Sequence, residues 1–205
     1  MADKLKVGVL LSGRGSNMLA LAEYKRVADP AYEIALVASN VPEARGLVLA
    51  KRLGLKTWAH SHKGMDRVAF DMLVDAELRR HGVELIALAG YMRLLSPEFI
   101  RAWPGRILNI HPSLLPRHKG LDTHRKALLA GDLESGCSVH IVTEELDDGP
   151  VLAQARVRIA ARDDADSLAA RVLAEEHLLY PLTLDDYARR LLAQEGQDDG
   201  RTRNA

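Results

Sequence analysis

The sequence predicts an α/β fold: a mostly parallel sheet with helices on both faces and antiparallel strands added in the C-terminal half. Three observations lead there. Short apolar runs alternate with longer amphipathic stretches as far as His111. Those runs, among them KVGVLL, EIALVAS and ELIALAG, are apolar almost without interruption, as strands buried on both faces are. Beyond Pro116, two further strand candidates are separated by DDGP, which is a hairpin signal.

The first strand covers 6–11, and its helix runs from Asn17 to about Val27. A second pair follows at 33–39 and from Glu43 to Leu53. KTWAH (56–60) precedes a helix from Asp66 to His81. ELIALAG (84–90) precedes a short helix opened by SPEF, where Pro97 suits the first turn because the N–H it lacks has no helical partner there. A strand, a helix and a parallel strand make a right-handed crossover, so these units build one sheet covered on both sides. RILNIH is then a fifth, central strand. A polar loop, RHKGLDTHR, leads to a short helix over 124–130 and to the strands CSVHIVTEEL and PVLAQARVRI. The last helix spans 166–192, and Pro181 is expected to break or kink it, since proline removes a backbone donor and crowds the preceding turn. Residues 1–193 form one folded unit, and the polar, glycine-containing 194–205 is expected to be a disordered tail.

The 205 residues suffice for one well-buried core, and 47% hydrophobic with 27% charged residues is globular composition. Aromatics are only 4%, so the core must be mostly Leu, Val, Ile and Ala. Lys plus Arg and Asp plus Glu balance at 28 each, which leaves no global field to draw the chain onto nucleic acid or an anionic membrane. Any anion must be caught locally. The single cysteine, Cys137, excludes an intramolecular disulfide and cysteine-rich zinc modules, and fits a reducing compartment. The N-terminal apolar run is too short for a signal peptide, and no stretch approaches the ~18 apolar residues of a membrane helix. A cytoplasmic protein engaging neither nucleic acid nor membrane is expected.

LLSGRGSN sets Gly13, Gly15, Ser16 and Asn17 between a strand and a helix. Small residues there admit a phosphate, free N–H groups point at it and the helix dipole favours it. A tight turn with an ordinary N-cap would use the same residues. Met18 stands where a dinucleotide fingerprint needs its last glycine, and no Gly-Lys-Ser/Thr follows, so a mononucleotide-like phosphate fits better than NAD.

In ILNIHPSLLP, Asn109 and His111 sit two apart at a strand end, hence on one face, at the edge where such sheets collect ligands. An amide and an imidazolium aimed at one point stabilise an oxygen turning negative in acyl transfer; a hydrogen-bonded structural histidine is the alternative. Asp147, in ELDDGP, is turn chemistry by itself, but a carboxylate beside the imidazole would raise its pKa and orient it. No G-x-S-x-G elbow is present, so the attacking group would come from a substrate. His60 and His62 lack nearby acidic partners for a metal and read as surface residues. Cys137 and His140, three apart in a strand, face opposite sides, which argues against a thiol–imidazole pair. Arg67 and Arg93 read equally as surface charges or anion contacts, and Glu175 and Glu176 as polar contacts or a solvated helix face.

LLSGRGSN, LAGYMRLLSP, LNIHPSLLPRHKGLDTHRKAL and SVHIVTEELDDGP, in that order over residues 7–181, resemble the phosphoribosylglycinamide formyltransferase family, folate-dependent enzymes of purine synthesis. The resemblance implies a single-domain, Rossmann-like sheet of seven strands. It implies formyl transfer from 10-formyltetrahydrofolate to the amine of glycinamide ribonucleotide, with these small molecules as partners and with no metal or nicotinamide. Asn109, His111 and Asp147 would be the catalytic trio; Gly15, Ser16 and Asn17 would hold the ribotide phosphate and Glu176 its glycinamide end. Arg67, Met92, Arg93, Leu94, Leu95, Asn109, Thr143, Glu144, Glu145, Leu146 and Asp147 would lie along the folate. Protonated His111 would share the oxyanion with Asn109, while Asp147 keeps it charged. Monomer and homodimer stay open, because a pairing helix face looks like any amphipathic one.

Two positions depart from the family pattern: Asp148 stands where LDGGP would have a glycine, and Asp122 where some relatives carry histidine. The first is expected to bear on the turn that positions Asp147, since Asp adopts positive φ less readily than Gly. Three rival readings are a methionyl-tRNA formyltransferase, a formyltetrahydrofolate hydrolase and a phosphate-ligand binding protein. The first calls for a further RNA-binding domain and a basic surface. The second calls for an N-terminal regulatory domain, and the third leaves Asn109, His111 and Asp147 a coincidence.

Overall fold

β1 (Leu5–Leu11) pairs in parallel with β2 (Tyr32–Ser39) on one side and β4 (Leu85–Leu88) on the other. β3 (Thr57–Ala59) extends the sheet beyond β2, and β5 (Ile107–His111) extends it beyond β4, both still parallel. β6 (Glu134–Ile141) and β7 (Val151–Arg158) are added antiparallel. The result, in a computed structural model describing residues 4–202, is one seven-stranded sheet of order β3-β2-β1-β4-β5-β6-β7.

α1 (Ser16–Glu23), α2 (Arg45–Arg52) and α6 (Ala165–Thr202) cover one face, and α3 (Arg67–Arg80) with α4 (Pro97–Ala102) covers the other. α5 (Thr123–Leu129) sits between β5 and β6 in the chain and packs beside α6. Alternation along β1 explains both layers. Val7, Val9 and Leu11 turn to Met18, Leu21, Leu47 and Leu184, while Leu10 joins Leu36, Phe70, Leu78 and Phe99. Burying each such side chain contributes about 1.5–3 kcal/mol. Gly8 is small for a reason: a Cβ there would meet Leu78 Cδ2 at 2.5 Å, so glycine lets α3 close on the sheet.

The structure departs from the sequence expectation in a few places. α1 gives way after Glu23 to a 3-10 turn, Tyr24–Arg26. β4 ends at Leu88, before Gly90, whose φ of 73° turns the chain. β6 starts at Glu134 and stops at Ile141, so Thr143 to Leu146 lie in the following loop. Pro181 lies within α6 without ending it; Val172, Tyr180, Leu184 and Ala188 are fully buried against the sheet on both sides of it, and that packing outweighs one lost hydrogen bond. α6 continues to Thr202, through most of the stretch expected to be a disordered tail, and Arg106 pairs with Glu195 at 2.7 Å. Residues 203–205 lie outside the described part.

Candidate active site

The strand order reverses between β1 and β4, and ligands of such sheets collect at that crevice. Ser12, just past β1, laces its rim together. Its N–H donates to Gly90 O at 3.0 Å, its Oγ donates to Asn40 Oδ1 at 2.6 Å, and the same Oγ accepts from Met92 N–H at 2.7 Å. Gly15 caps α1 in the left-handed region (φ 79°) and packs on Gly46 at the start of α2; a Cβ on Gly15 would lie 2.5 Å from Gly46 Cα. The Gly46 N–H donates to Gly13 O at 2.9 Å. No side chain caps α1, so its first-turn N–H groups are available at this rim, the condition for holding an anion.

Asn17 and Glu176, 159 residues apart, meet here: Asn17 Nδ2 donates to Glu176 Oε2 at 2.6 Å. Both are buried, and Asn17 Oδ1 has no partner. Burial pushes the Glu176 carboxyl above its usual range, an effect the Asn17 hydrogen bond only partly offsets. Asn17 is therefore tied to Glu176 rather than turned to the open loop beside Ser16.

The expected trio is assembled on the α3/α4 side of the sheet. Asp147 lies in the loop between β6 and β7, and its carboxylate spans two histidines: Oδ2 is 3.4 Å from His111 Nδ1, and Oδ1 is 3.6 Å from His140 Nε2. Asn109 Nδ2 donates to His140 Nε2 at 3.1 Å, which leaves its second N–H unused. The cause is strand register, since Asn109 faces His140 across β5 and β6. The Gly120 N–H donates to Asp147 Oδ2 at 2.9 Å, fastening the loop after β5 to the same carboxylate. His111 Nε2 bonds His118 O at 3.1 Å; a carbonyl only accepts, so Nε2 carries the hydrogen and the neutral ring presents a bare Nδ1 to Asp147.

One expectation is corrected by this geometry. Burial lowers the His111 pKa below its ordinary 6.5, and the pull of the His118 carbonyl and of Asp147 in the other direction does not overcome it. His111 is neutral in the free protein at neutral pH. Burial raises the Asp147 carboxyl, but the contacts with His140, Gly120 N–H and His111 outweigh that, and it stays ionised below the usual range. The Asp148 departure is also explained. Positive φ falls on Asp147 (49°) and not on Asp148, and Asp148 instead accepts from Lys119 at 2.6 Å. Asp122 adopts φ 58° at the start of α5.

The remaining expected residues divide. Met92, Leu94 and Leu146 are exposed apolar side chains, and Leu121, which the sequence reading missed, is another; the three loops that carry them follow β4, β5 and β6. Leu95 is buried in the α3/α4 core. Arg67 opens α3, exposed at the surface. Arg93 is a brace: its Nη2 donates to Asp66 O at 3.1 Å and its guanidinium lies over the Phe70 ring at 5.1 Å. Thr143 turns its hydroxyl to Glu145 O at 3.3 Å, and Glu144 lies 3.9 Å from Arg101. His62 bonds Asn40 O at 2.9 Å instead of standing free, while His60 stacks on Trp58. Among the described residues, no group of three or more His, Cys, Asp or Glu side chains is arranged to hold a metal ion, and no helix is long and apolar enough to cross a membrane.

His140 is the residue the sequence reading passed over. Its separation from Cys137 is as expected: Cys137 joins the α6 core, and His140 turns to the site. The period-2 argument gave its face, but only the pairing of β6 against β5 gives it Asn109 as a neighbour.

Residues 5–184 match the family model described as formyl transferase. The phosphoribosylglycinamide formyltransferase of Escherichia coli (strain K12) is 43% identical over 185 residues, covering 90% of this chain and 87% of that one. The human trifunctional purine biosynthetic protein adenosine-3 is 40% identical over 182 residues, which span 88% of this chain but 18% of that protein. A crystal structure of phosphoribosylglycinamide formyltransferase from Brucella melitensis superposes with TM-score 0.86 at 46% identity, covering 91% of this chain and 96% of the other. That of glycinamide ribonucleotide transformylase 1 from Symbiobacterium toebii gives 0.89 at 39%, covering 92% and 90%.

Proposed function

Because this chain belongs to the formyl transferase family, we propose that it moves the formyl group of 10-formyltetrahydrofolate onto the amine of glycinamide ribonucleotide, giving formylglycinamide ribonucleotide and tetrahydrofolate for purine synthesis. The observation that carries the reading is the run of contacts from Asn109 through His140 and Asp147 to His111, with one amide N–H and one imidazole nitrogen left to act.

The amine nitrogen attacks the formyl carbon, whose carbonyl oxygen becomes an oxyanion. The free N–H of Asn109 Nδ2 donates to that oxygen. The attacking nitrogen, now positively charged, must lose a proton, and the folate N10 must gain one before the C–N10 bond breaks. His111 Nδ1 is the acceptor for that transfer. A neutral ring sets its lone pair against the Asp147 carboxylate, and a proton on Nδ1 turns this contact into a charge-assisted bond. The imidazolium therefore arises during turnover and passes its proton on to N10.

Gly15, Ser16 and the first turn of α1 hold the ribotide phosphate, with Asn17 and Glu176 releasing each other to take the glycinamide end. The folate lies against Met92, Leu94, Leu121 and Leu146, along the backbone of Thr143 to Asp147, while Leu95 backs that wall from the α3/α4 core. Arg67 meets its carboxylates, and Arg93 holds the wall in place. Residues 1–193 make up the catalytic unit, and a reducing cytoplasm keeps Cys137 a thiol. The test is tetrahydrofolate release from 10-formyltetrahydrofolate, followed by absorbance with and without glycinamide ribonucleotide. Release only with the ribotide is expected; release without it would indicate a hydrolase, and none in either case would leave a binding protein.

A further inference from the structure

The loop after β5 is held by side chains at four backbone groups between Arg117 and Gly120. Arg117 O accepts from Ser113 Oγ at 2.7 Å, His118 O bonds His111 Nε2 at 3.1 Å, Lys119 O accepts from Lys126 Nζ at 2.9 Å, and Gly120 N–H donates to Asp147. In its middle stands His118 with a left-handed backbone (φ 52°), a conformation a side-chain-bearing residue keeps only when its surroundings hold it there. The His118 ring supplies that hold. Its Nε2 lies 2.7 Å from Asp132 Oδ2, with both side chains more than four-fifths buried at 19% and 16% exposure. Asp132 is itself fixed just past α5, where its N–H donates to Ala127 O at 3.1 Å.

We propose that His118, clamped by Asp132, is a positioning residue for His111: the ring pair locks the left-handed turn whose carbonyl takes the His111 Nε2 hydrogen, and so keeps Nδ1 turned to Asp147. A ring whose Nε2 lost that carbonyl could carry its hydrogen on either nitrogen, and a hydrogen on Nδ1 removes the acceptor the reaction uses. His118 acts on His111 through that one carbonyl. The catalytic half of this inference rests on the formyl-transfer reading, while the structural half does not.

The test removes the pair from either side, with His118→Phe and Asp132→Asn, in the full chain. Imidazole 15N NMR, with the His111 signals assigned by their loss in His111→Asn, reads the tautomer. Steady-state kinetics reads kcat and KM separately. The expected result is a single Nε2–H tautomer in the parent protein, a tautomer mixture in both variants, and a kcat lowered roughly ten- to hundredfold with KM near the parent value, the scale for misplaced reacting groups. A single Nε2–H tautomer in either folded variant would overturn the positioning role. A mixture with unchanged kcat would overturn its bearing on the reaction. If the parent protein transfers no formyl group yet the tautomer still shifts, the positioning stands and the proposed activity falls.

Discussion

Asp147→Asn isolates the charge on which proton transfer turns. The substitution keeps the shape of the side chain, and an amide oxygen still accepts from the Gly120 N–H that ties the two loops, so folding should change little. What it removes is the attraction between carboxylate and imidazolium. In the resting protein that attraction is not yet made, because burial keeps His111 neutral. Once Nδ1 takes a proton, two opposite charges stand 3.4 Å apart with side chains 7% and 9% exposed. At an effective dielectric of about 20 this interaction is worth about 5 kcal/mol, and each ~1.4 kcal/mol is tenfold in rate. Part of it is recovered by the amide dipole, so kcat should fall by roughly three orders of magnitude. An interaction made only along the reaction lowers kcat and kcat/KM together and leaves KM alone. Tetrahydrofolate release at saturating ribotide measures it. A kcat within tenfold of the parent, or a raised KM at unchanged kcat, would show that the His111–Asp147 charge pair is not formed during turnover.

Other expectations follow from the same geometry. Replacing His111 with Asn should leave both substrates bound near normally and lower turnover by about two to three orders of magnitude; unchanged turnover removes His111 from the mechanism. The acid limb of kcat/KM reports the free protein, which must hold His111 neutral to accept a proton. Its pKa lies below 6.5, so more than half of the plateau should survive at pH 6.5, and a half-loss at or above that pH contradicts the burial argument. Gly15→Ala forces a Cβ into a left-handed residue 2.5 Å from Gly46 Cα. Left-handed strain of about 1–2 kcal/mol and overpacking of about 1–3 kcal/mol should together lower the melting temperature by about 5–15 °C, with a weaker KM for the ribotide. Asp148→Gly removes only a partly exposed partner of Lys119, so stability should stay within about 1 kcal/mol and activity close to the parent; a large loss would mean the pair shapes the Asp147 turn.

Most of the fold was legible because strand and helix periodicities are local. KVGVLL and EIALVAS could be read as parallel strands from their lack of alternation, and the strands fall within a few residues of the expected positions. Of the break or kink expected at Pro181 the break does not occur, because the rule for proline weighs one hydrogen bond and a local clash, while α6 is fixed by Tyr180 and Leu184 packing on a sheet assembled from distant segments. The site was legible where its chemistry is written in neighbouring residues. Asn109 and His111 share a face by strand geometry alone, and Gly15 and Asn17 share a turn. His140 and the neutral state of His111 were not, since the first depends on the register of β6 against β5 and the second on how much water the finished fold excludes. Neither quantity has a local signature.

The antiparallel attachment of β6 is what converts a generic sheet edge into this arrangement. Because β6 runs against β5, Ser138 falls opposite His111 and His140 opposite Asn109, all on one face. Ser138 donates its hydroxyl to Ser113 O at 2.6 Å and accepts from Leu115 N–H at 3.0 Å, so it anchors the loop that carries His118. The chain then leaves β6 at Ile141 and rejoins the ladder at Val151, which pairs with His140. The intervening loop must begin and end at one point, and Ile141 N–H donating to Pro150 O at 2.9 Å closes its neck. Gly149 allows that closure, since a Cβ there would lie 1.8 Å from Ile141 O. The loop closed in this way folds back over the sheet face, and Asp147, in the left-handed region at φ 49°, comes to rest between the two histidines.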